Sequence, residues 1–182
     1  MKTKDFLIVA LAPLVVLAIP FVGNFVSEGV NWTAFDFALM WVLLAAAMFA
    51  WRLLATRPGA NLPYRLGAAL AVGTGLMLIW VTLAVAIIGD GNPANLLYPG
   101  VMLAGLTGVG LARFQPQGLA RTAFAVAFAI FLVPLIGLMV EPNDFSPGVA
   151  PVFTINLGFV LLFTLAGLLF RYAAAKQTAV AH

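Results

Sequence analysis

Six stretches of this chain, Phe6–Val26, Ala34–Trp51, Leu66–Ile88, Ala94–Ala112, Thr122–Val140 and Val149–Phe170, run on in apolar residues without Asp, Glu, Lys or Arg near their centres; Asp36 stands in the first turn of the second. A helix rises 1.5 Å per residue, so a hydrocarbon core about 30 Å thick asks for about 20 such residues. In lipid the backbone must bond to itself, which makes runs of this length helices; barrel strands would alternate over about 10 residues. Composition points the same way. Hydrophobic residues make up 64% of the 182 positions and charged residues 8%, whereas a water-facing globule needs about a quarter charged. The expected fold is all-α: one polytopic membrane helix bundle over residues 1–182, with six transmembrane helices arranged as three hairpins.

The connections alternate in charge. Lys2, Lys4, Arg52, Arg57, Arg65, Arg113, Arg121, Arg171 and Lys176 fall at the N-terminus, the second and fourth connections, and the C-terminus. Glu28, Asp90, Glu141 and Asp144 fall in the first, third and fifth, with Asp36 at the edge of the first, and only Asp5 joins the basic side. The positive-inside rule makes the basic face cytoplasmic and both termini internal. A missed or invented span would scramble this partition, so the charges check the count. Met1–Lys4 looks like the start of a signal peptide, but the apolar run behind it is long and no small-x-small site follows near Phe21–Ser27, so the first span is expected to be retained. Trp32 and Tyr98 fall near the outer interface and Trp51, Tyr64 and Tyr172 near the inner one, where amphipathic rings are favoured.

The return helices end alike, in Trp51-Arg52-Leu53, Ala112-Arg113-Phe114 and Phe170-Arg171-Tyr172. The loops Gly89-Asp90-Gly91-Asn92-Pro93 and Glu141-Pro142-Asn143-Asp144 share turn chemistry. Any three membrane hairpins look similar by composition, and that reading is preferred over a true triplication. Gly67, Ala71 and Gly75 in the third span, and Ala104, Gly108 and Ala112 in the fourth, repeat every four residues. Close approach through small residues supplies helix association in lipid, and the stripes are expected to seat helices within the monomer rather than a dimer. Pro13, Pro20 and Pro134 each remove a backbone donor and are read as shape features.

Little chemistry is visible. Without cysteine, thiolate metal sites, disulfides and cysteine nucleophiles are out. The single histidine is His182, the last residue. No charge lies mid-span, where one would identify a transport path or proton relay. Thr74, Thr82, Thr107, Thr154, Asn156 and Thr164 are the main polar groups of the spans; threonines there usually bond back to their own helix. Asn156 is the least expected, since an amide in lipid needs partners and can bridge to another helix. Glu28, Asp36, Asp90, Glu141 and Asp144 are cation candidates on the outer face if three of them meet, although charge asymmetry alone accounts for acids there. Asp36 also suits a helix N-terminus. Arg52, Arg57, Arg65, Arg113, Arg121 and Arg171 form a basic collar suited to anionic lipid headgroups. Gly105–Gly110 lies inside a span and lacks the strand-turn-helix setting of a phosphate loop.

The stretch Gly91-Asn92-Pro93-Ala94-Asn95-Leu96-Leu97-Tyr98, followed by Gly100-Val101, Ala112-Arg113-Phe114 and Gly118-Leu119-Ala120-Arg121, resembles uncharacterised small multi-pass inner-membrane proteins of bacteria. That resemblance covers about the middle third of the chain and implies a bacterial inner membrane, without an activity or residue roles. It raises Asn92, Asn95 and Tyr98 as positions to probe. The function expected is that of a non-enzymatic accessory or assembly subunit or lipid-interacting protein. Its partners would be membrane lipids, anionic on the cytoplasmic face, with a protein partner or second copy beside them. No cofactor and no nucleic acid are expected. The alternative is a small-solute or cation transporter with an acidic outer entrance; a membrane enzyme ranks third, since acid–base work needs groups in mutual reach.

Overall fold

The computed structural model describes residues 3–27, 29 and 31–180. Its helices are α1 (Thr3–Val26), α2 (Ala34–Ala55), α3 (Leu62–Val85), α4 (Leu97–Leu111), α5 (Pro116–Val140) and α6 (Val149–Val180), with a 3-10 turn at Pro93–Leu96 leading into α4. There is no strand among the described residues. Six helical segments, counting the 3-10 turn with α4, are long and apolar enough to cross a membrane. They fit a multi-pass integral membrane protein. The chain forms two compact units, Met1–Leu53 and Leu54–His182.

In the first unit, α1 carries Pro13 and Pro20 in its interior. Pro13 lacks the N–H that would bond the Val9 carbonyl, and one residue on, the indole N–H of Trp41 donates to the carbonyl of Ala10 at 3.1 Å. The connection between α1 and α2 folds onto the helix ends. Asn24 donates through Nδ2 to the Trp32 carbonyl at 2.9 Å and accepts the Trp32 N–H at 3.0 Å. Thr33 and Asp36 then form a reciprocal cap. Asp36 Oδ2 accepts from the Thr33 N–H at 2.7 Å, and Thr33 Oγ1 accepts the Asp36 N–H at 3.3 Å. This satisfies donors that the first turn of α2 would otherwise leave open.

In the second unit, α3 packs on α6 and α4, and α5 packs on α4 and α6. The four helices therefore close a ring in chain order. Neighbours run antiparallel: Gly67 near the start of α3 meets Ala166 and Phe170 in the second half of α6, while Gly108 near the end of α4 meets Thr122 near the start of α5. Leu78, Ile88, Tyr98, Ile130, Val133, Val152, Phe159 and Phe163 fill the interior.

Several boundaries differ from those expected, each for a local reason. α3 begins at Leu62, four residues before the expected Leu66, because Asn61 caps it and Pro63 occupies its first turn. It ends at Val85 rather than Ile88, where Ala86 turns left-handed at φ 45° and frees Ile87 and Ile88 to enter the core. The α-helical part of the fourth span has 15 residues, too short for a 30 Å core. The preceding 3-10 turn, rising about 2.0 Å per residue, brings the pair to about 30 Å. α5 starts at Pro116 and not at Thr122; Pro at the first helical position sacrifices no hydrogen bond. At 32 residues, α6 is about 48 Å long and runs well past Phe170.

The small-residue stripes are used inside this unit. A Cβ at Gly67 would stand 3.2 Å from the Ala166 carbonyl, and one at Gly75 3.5 Å from Met102 Sδ. Ala71 packs against the core. On α4, a Cβ at Gly108 would stand 2.7 Å from Thr122 Cγ2, and Ala112 Cβ would be 2.6 Å from one on Gly118. Ala104 departs from the pattern: it is exposed.

Candidate functional site

The polar groups of the four-helix unit gather at three levels. At the end that holds Asp90, Glu141 and Asp144, buried Asn92 is the hub. Its Nδ2 faces the carbonyls of Gly137, Glu141 and Asp144, each at 3.2 Å. Its Oδ1 accepts the Ala94 N–H at 3.0 Å, which caps the 3-10 turn. One side chain thereby starts one helical segment and closes another: it adds a second donor to the Gly137 carbonyl, which already takes the Glu141 N–H, and serves the Glu141 and Asp144 carbonyls just past the end of α5. Asn95 repeats the device one turn on. It accepts the Ile88 N–H at 3.1 Å and donates to the carbonyls of Gly89 at 2.6 Å and Asn92 at 3.1 Å. The loops before α4 and after α5 are also joined directly, by the Ser146 N–H donating to the Ile88 carbonyl at 3.2 Å.

The backbone of this junction favours glycine at Gly89, and the Asp144 carboxylate crowds Gly91. Gly89 sits at φ 118°, and a Cβ on Gly91 would collide with Asp144 Oδ2. The Asp144 carboxylate therefore rests directly on the Gly89–Gly91 backbone.

Inside the ring, Tyr98 on α4 donates its hydroxyl proton to Asn156 Oδ1 on α6 at 2.7 Å, and Asn156 Nδ2 donates to the Val152 carbonyl of its own helix at 2.8 Å. The two side chains are 1% and 2% exposed, which places the bond in the bundle interior and not on its surface. An unpaired amide there would be costly, and the tyrosine hydroxyl supplies the partner.

At the opposite end, Phe114 and Arg113 adopt left-handed φ of 59° and 47°. This turn aims the Phe114 carbonyl at two donors: the Tyr64 hydroxyl at 3.0 Å and Arg57 Nη1. The Arg57 guanidinium lies 5.9 Å from the Tyr64 ring centre, within cation–π range. Asn61 caps α3 and donates to the Ala173 carbonyl of α6 at 3.1 Å, while Gln177 donates to the Gly59 carbonyl at 2.9 Å. The extension of α6 is thus fastened to the loop between α2 and α3.

Of the sequence candidates, Asn92 and Asn95 come together at the loop junction, and Tyr98 and Asn156 pair separately in the bundle interior. Among the acidic candidates, Asp90, Glu141 and Asp144 share one end of the four-helix unit, with the Asp144 carboxylate against Gly89 and Gly91. Glu28 lies outside the described residues, as does His182. Asp36 is engaged with Thr33, and Asp90 is exposed. No group of three or more metal-ligating side chains comes together among the described residues. Thr82, Thr107 and Thr154 donate to their own helices, at Leu78, Leu103 and Ala150. Arg65, Arg113, Arg121 and Arg171 are exposed and Arg57 is half-buried. Arg52 lies in the first unit, at the last turn of α2. Sequence reasoning missed Asn61, Tyr64 and the Phe114 carbonyl as a cluster. The Asn61-x-Pro63 cap signal was available for the first; nothing in the sequence announces left-handed Arg113 and Phe114.

The arrangement can hold helix ends and loops in register, with its amide groups engaged by backbone and, at Asn156, also by the Tyr98 hydroxyl. The chain matches no protein-family model, no curated protein and no solved structure.

Proposed function

We propose that this chain is a non-catalytic accessory or assembly protein of a bacterial inner membrane, acting through its sides and ends on lipids and neighbouring membrane proteins. The supporting observation is the interior of the four-helix unit. Apolar side chains from Ile88 to Phe163 fill it, and its buried amides at Asn92 and Asn156 bond to groups of the unit itself. A solute path would need polar groups turned toward a channel. This filling favours a scaffold over the transporter with an acidic entrance.

The orientation proposed is cytoplasmic for both termini and the basic end. Arg57 and Phe114 meet at one end of the four-helix unit, and Asn92 joins Glu141 and Asp144 at the other. Exposed Arg65, Arg113, Arg121 and Arg171 would attract anionic headgroups by about 1 kcal/mol each near the surface. Reconstitution into proteoliposomes tests the reading. It expects no flux of monovalent cations or small solutes above protein-free vesicles, and recovery with a stoichiometric protein partner after native-membrane extraction. Protein-dependent flux abolished by Asp144→Asn would replace it with the transporter.

A further inference from the structure

In the unit that runs from Leu54 to His182, the acids are Asp90, Glu141 and Asp144, and all three stand at the end where Asn92 joins the loops. Arg121 on α5 and Arg171 on α6 are exposed at the opposite end. The stretch of α5 from Arg121 to Val140 spans about 30 Å. Screening at physiological salt acts over about 8 Å, so no acid of this unit neutralises either guanidinium. The packing of α5 on α6 brings the two cations together. Gly167 is buried against the Phe124 ring, where a Cβ would stand 2.8 Å from Cε1. Arg121 precedes Phe124 by three residues and Arg171 follows Gly167 by four, which keeps each on the flank of that contact. In antiparallel helices these steps lead the same way, by about 4.5 Å and 6 Å, so the arginines stand level on one seam.

Their depth suits a headgroup. Arg121 lies about 30 Å from the far end of α5, and Arg171 about 35 Å from Val149 at the start of α6, each close to the thickness of a hydrocarbon core. Both guanidiniums thus stand at the level of lipid phosphates. Toward the membrane interior the same flank is apolar: Phe128, seven residues beyond Arg121, and Leu168, three before Arg171, are exposed. Each guanidinium can grip one phosphate through a two-point fork. Two lipids with one phosphate each would bring like charges together, whereas a headgroup with two phosphates supplies both charges in one molecule. We propose that Arg121 and Arg171 hold the two phosphates of a diphosphatidylglycerol-type lipid on the outer flank of the α5–α6 seam. The proposal rests on the reading that the basic end lies among anionic headgroups, and it narrows that collar to one lipid and two residues.

The test is native mass spectrometry of the full chain released from phosphatidylcholine nanodiscs that hold diphosphatidylglycerol and phosphatidylglycerol at equal phosphate. Wild type should retain diphosphatidylglycerol over phosphatidylglycerol by at least about fivefold. Arg121→Ala and Arg171→Ala should each lower that ratio about fivefold, and Arg121→Lys, which keeps the charge but loses the fork, should lower it less. Arg65→Ala removes an equal charge from an exposed position on α3 and should leave the ratio unchanged. Inorganic pyrophosphate in excess should not displace the lipid, since it has no chains to lie on Phe128 and Leu168. Equal retention of the two lipids by wild type would overturn the proposal. So would an equal fall in the ratio on Arg65→Ala, or displacement by pyrophosphate. The collar reading survives any of these results so long as both anionic lipids outlast phosphatidylcholine, and falls with the proposal if neither does.

Discussion

Tyr98 and Asn156, 58 positions apart, are joined by a 2.7 Å hydrogen bond across the interior of the four-helix unit. It connects α4 to α6, which lie opposite one another in the ring. Each side chain is nearly fully enclosed, so water offers neither an alternative partner. Hydrogen bonds between membrane helices average about 0.6 kcal/mol and reach about 1.7. Tyr98→Phe should therefore destabilise the protein by about 1 kcal/mol, and Asn156→Leu by a similar amount. In a double-mutant cycle read by unfolding in mixed micelles, the pair should show a coupling of at least about 0.5 kcal/mol. Additive effects would mean that the bond contributes nothing.

Asn92 allows a sharper test, because two substitutions remove different things. Alanine deletes the donor to three carbonyls and the acceptor for Ala94, at a cost of about 1–3 kcal/mol. Aspartate keeps the acceptor but sets an anion against the carbonyl oxygens of Gly137, Glu141 and Asp144. Asn92→Asp should therefore be less stable than Asn92→Ala, despite its closer shape. Thermal unfolding of the two variants in one detergent decides the order.

How much of this was legible beforehand depends on the kind of signal. The apolar runs and the alternating charges carried the number of helices, since lipid permits few alternatives. The amide at Asn156 stood out because it breaks a span, and Asn92 and Asn95 because they crowd a turn. Helix ends were less readable. The third span was expected to begin after Arg65, yet Asn61 and Pro63 start it four residues earlier. Ala86, Arg113 and Phe114 turn left-handed without the glycine or asparagine that usually marks such positions, so tertiary contacts and not local preference set those turns. The acids at Asp36, Asp90, Glu141 and Asp144 read equally as a cation site or as the residue of charge sorting; only their placement separates the two.

The glycines of α4 divide by surroundings. At Gly108, a methyl group would stand 2.7 Å from Thr122 Cγ2 and 2.9 Å from its Oγ1. Gly108→Ala should cost about 1–3 kcal/mol through overpacking of α4 on α5. Gly110 has nothing within 4 Å of the corresponding point, so Gly110→Ala should be neutral or stabilise by up to about 1 kcal/mol through helix preference. Equal effects from the two, measured by denaturation, would contradict the packing described.

Arg113 joins strain with charge. Its φ of 47° costs about 1–2 kcal/mol for a residue bearing a Cβ, and its side chain is exposed. Arg113→Gly should raise stability in neutral detergent by up to about 1 kcal/mol. The same change should weaken association with anionic lipid by about 1 kcal/mol. Thermal unfolding and lipid retention should move in opposite directions.

The proposal that every basic residue faces the cytoplasm is tested most directly by thiol accessibility. The chain has no cysteine, so each introduced thiol is unique. Cysteines at Gly59, Arg113 and Lys176, and others at Asp90 and Asn143, would be treated in intact cells with a membrane-impermeant maleimide. The account predicts labelling at Asp90 and Asn143 alone, with the other three reacting only after the membrane is opened. Labelling of Gly59, Arg113 or Lys176 from outside would contradict it.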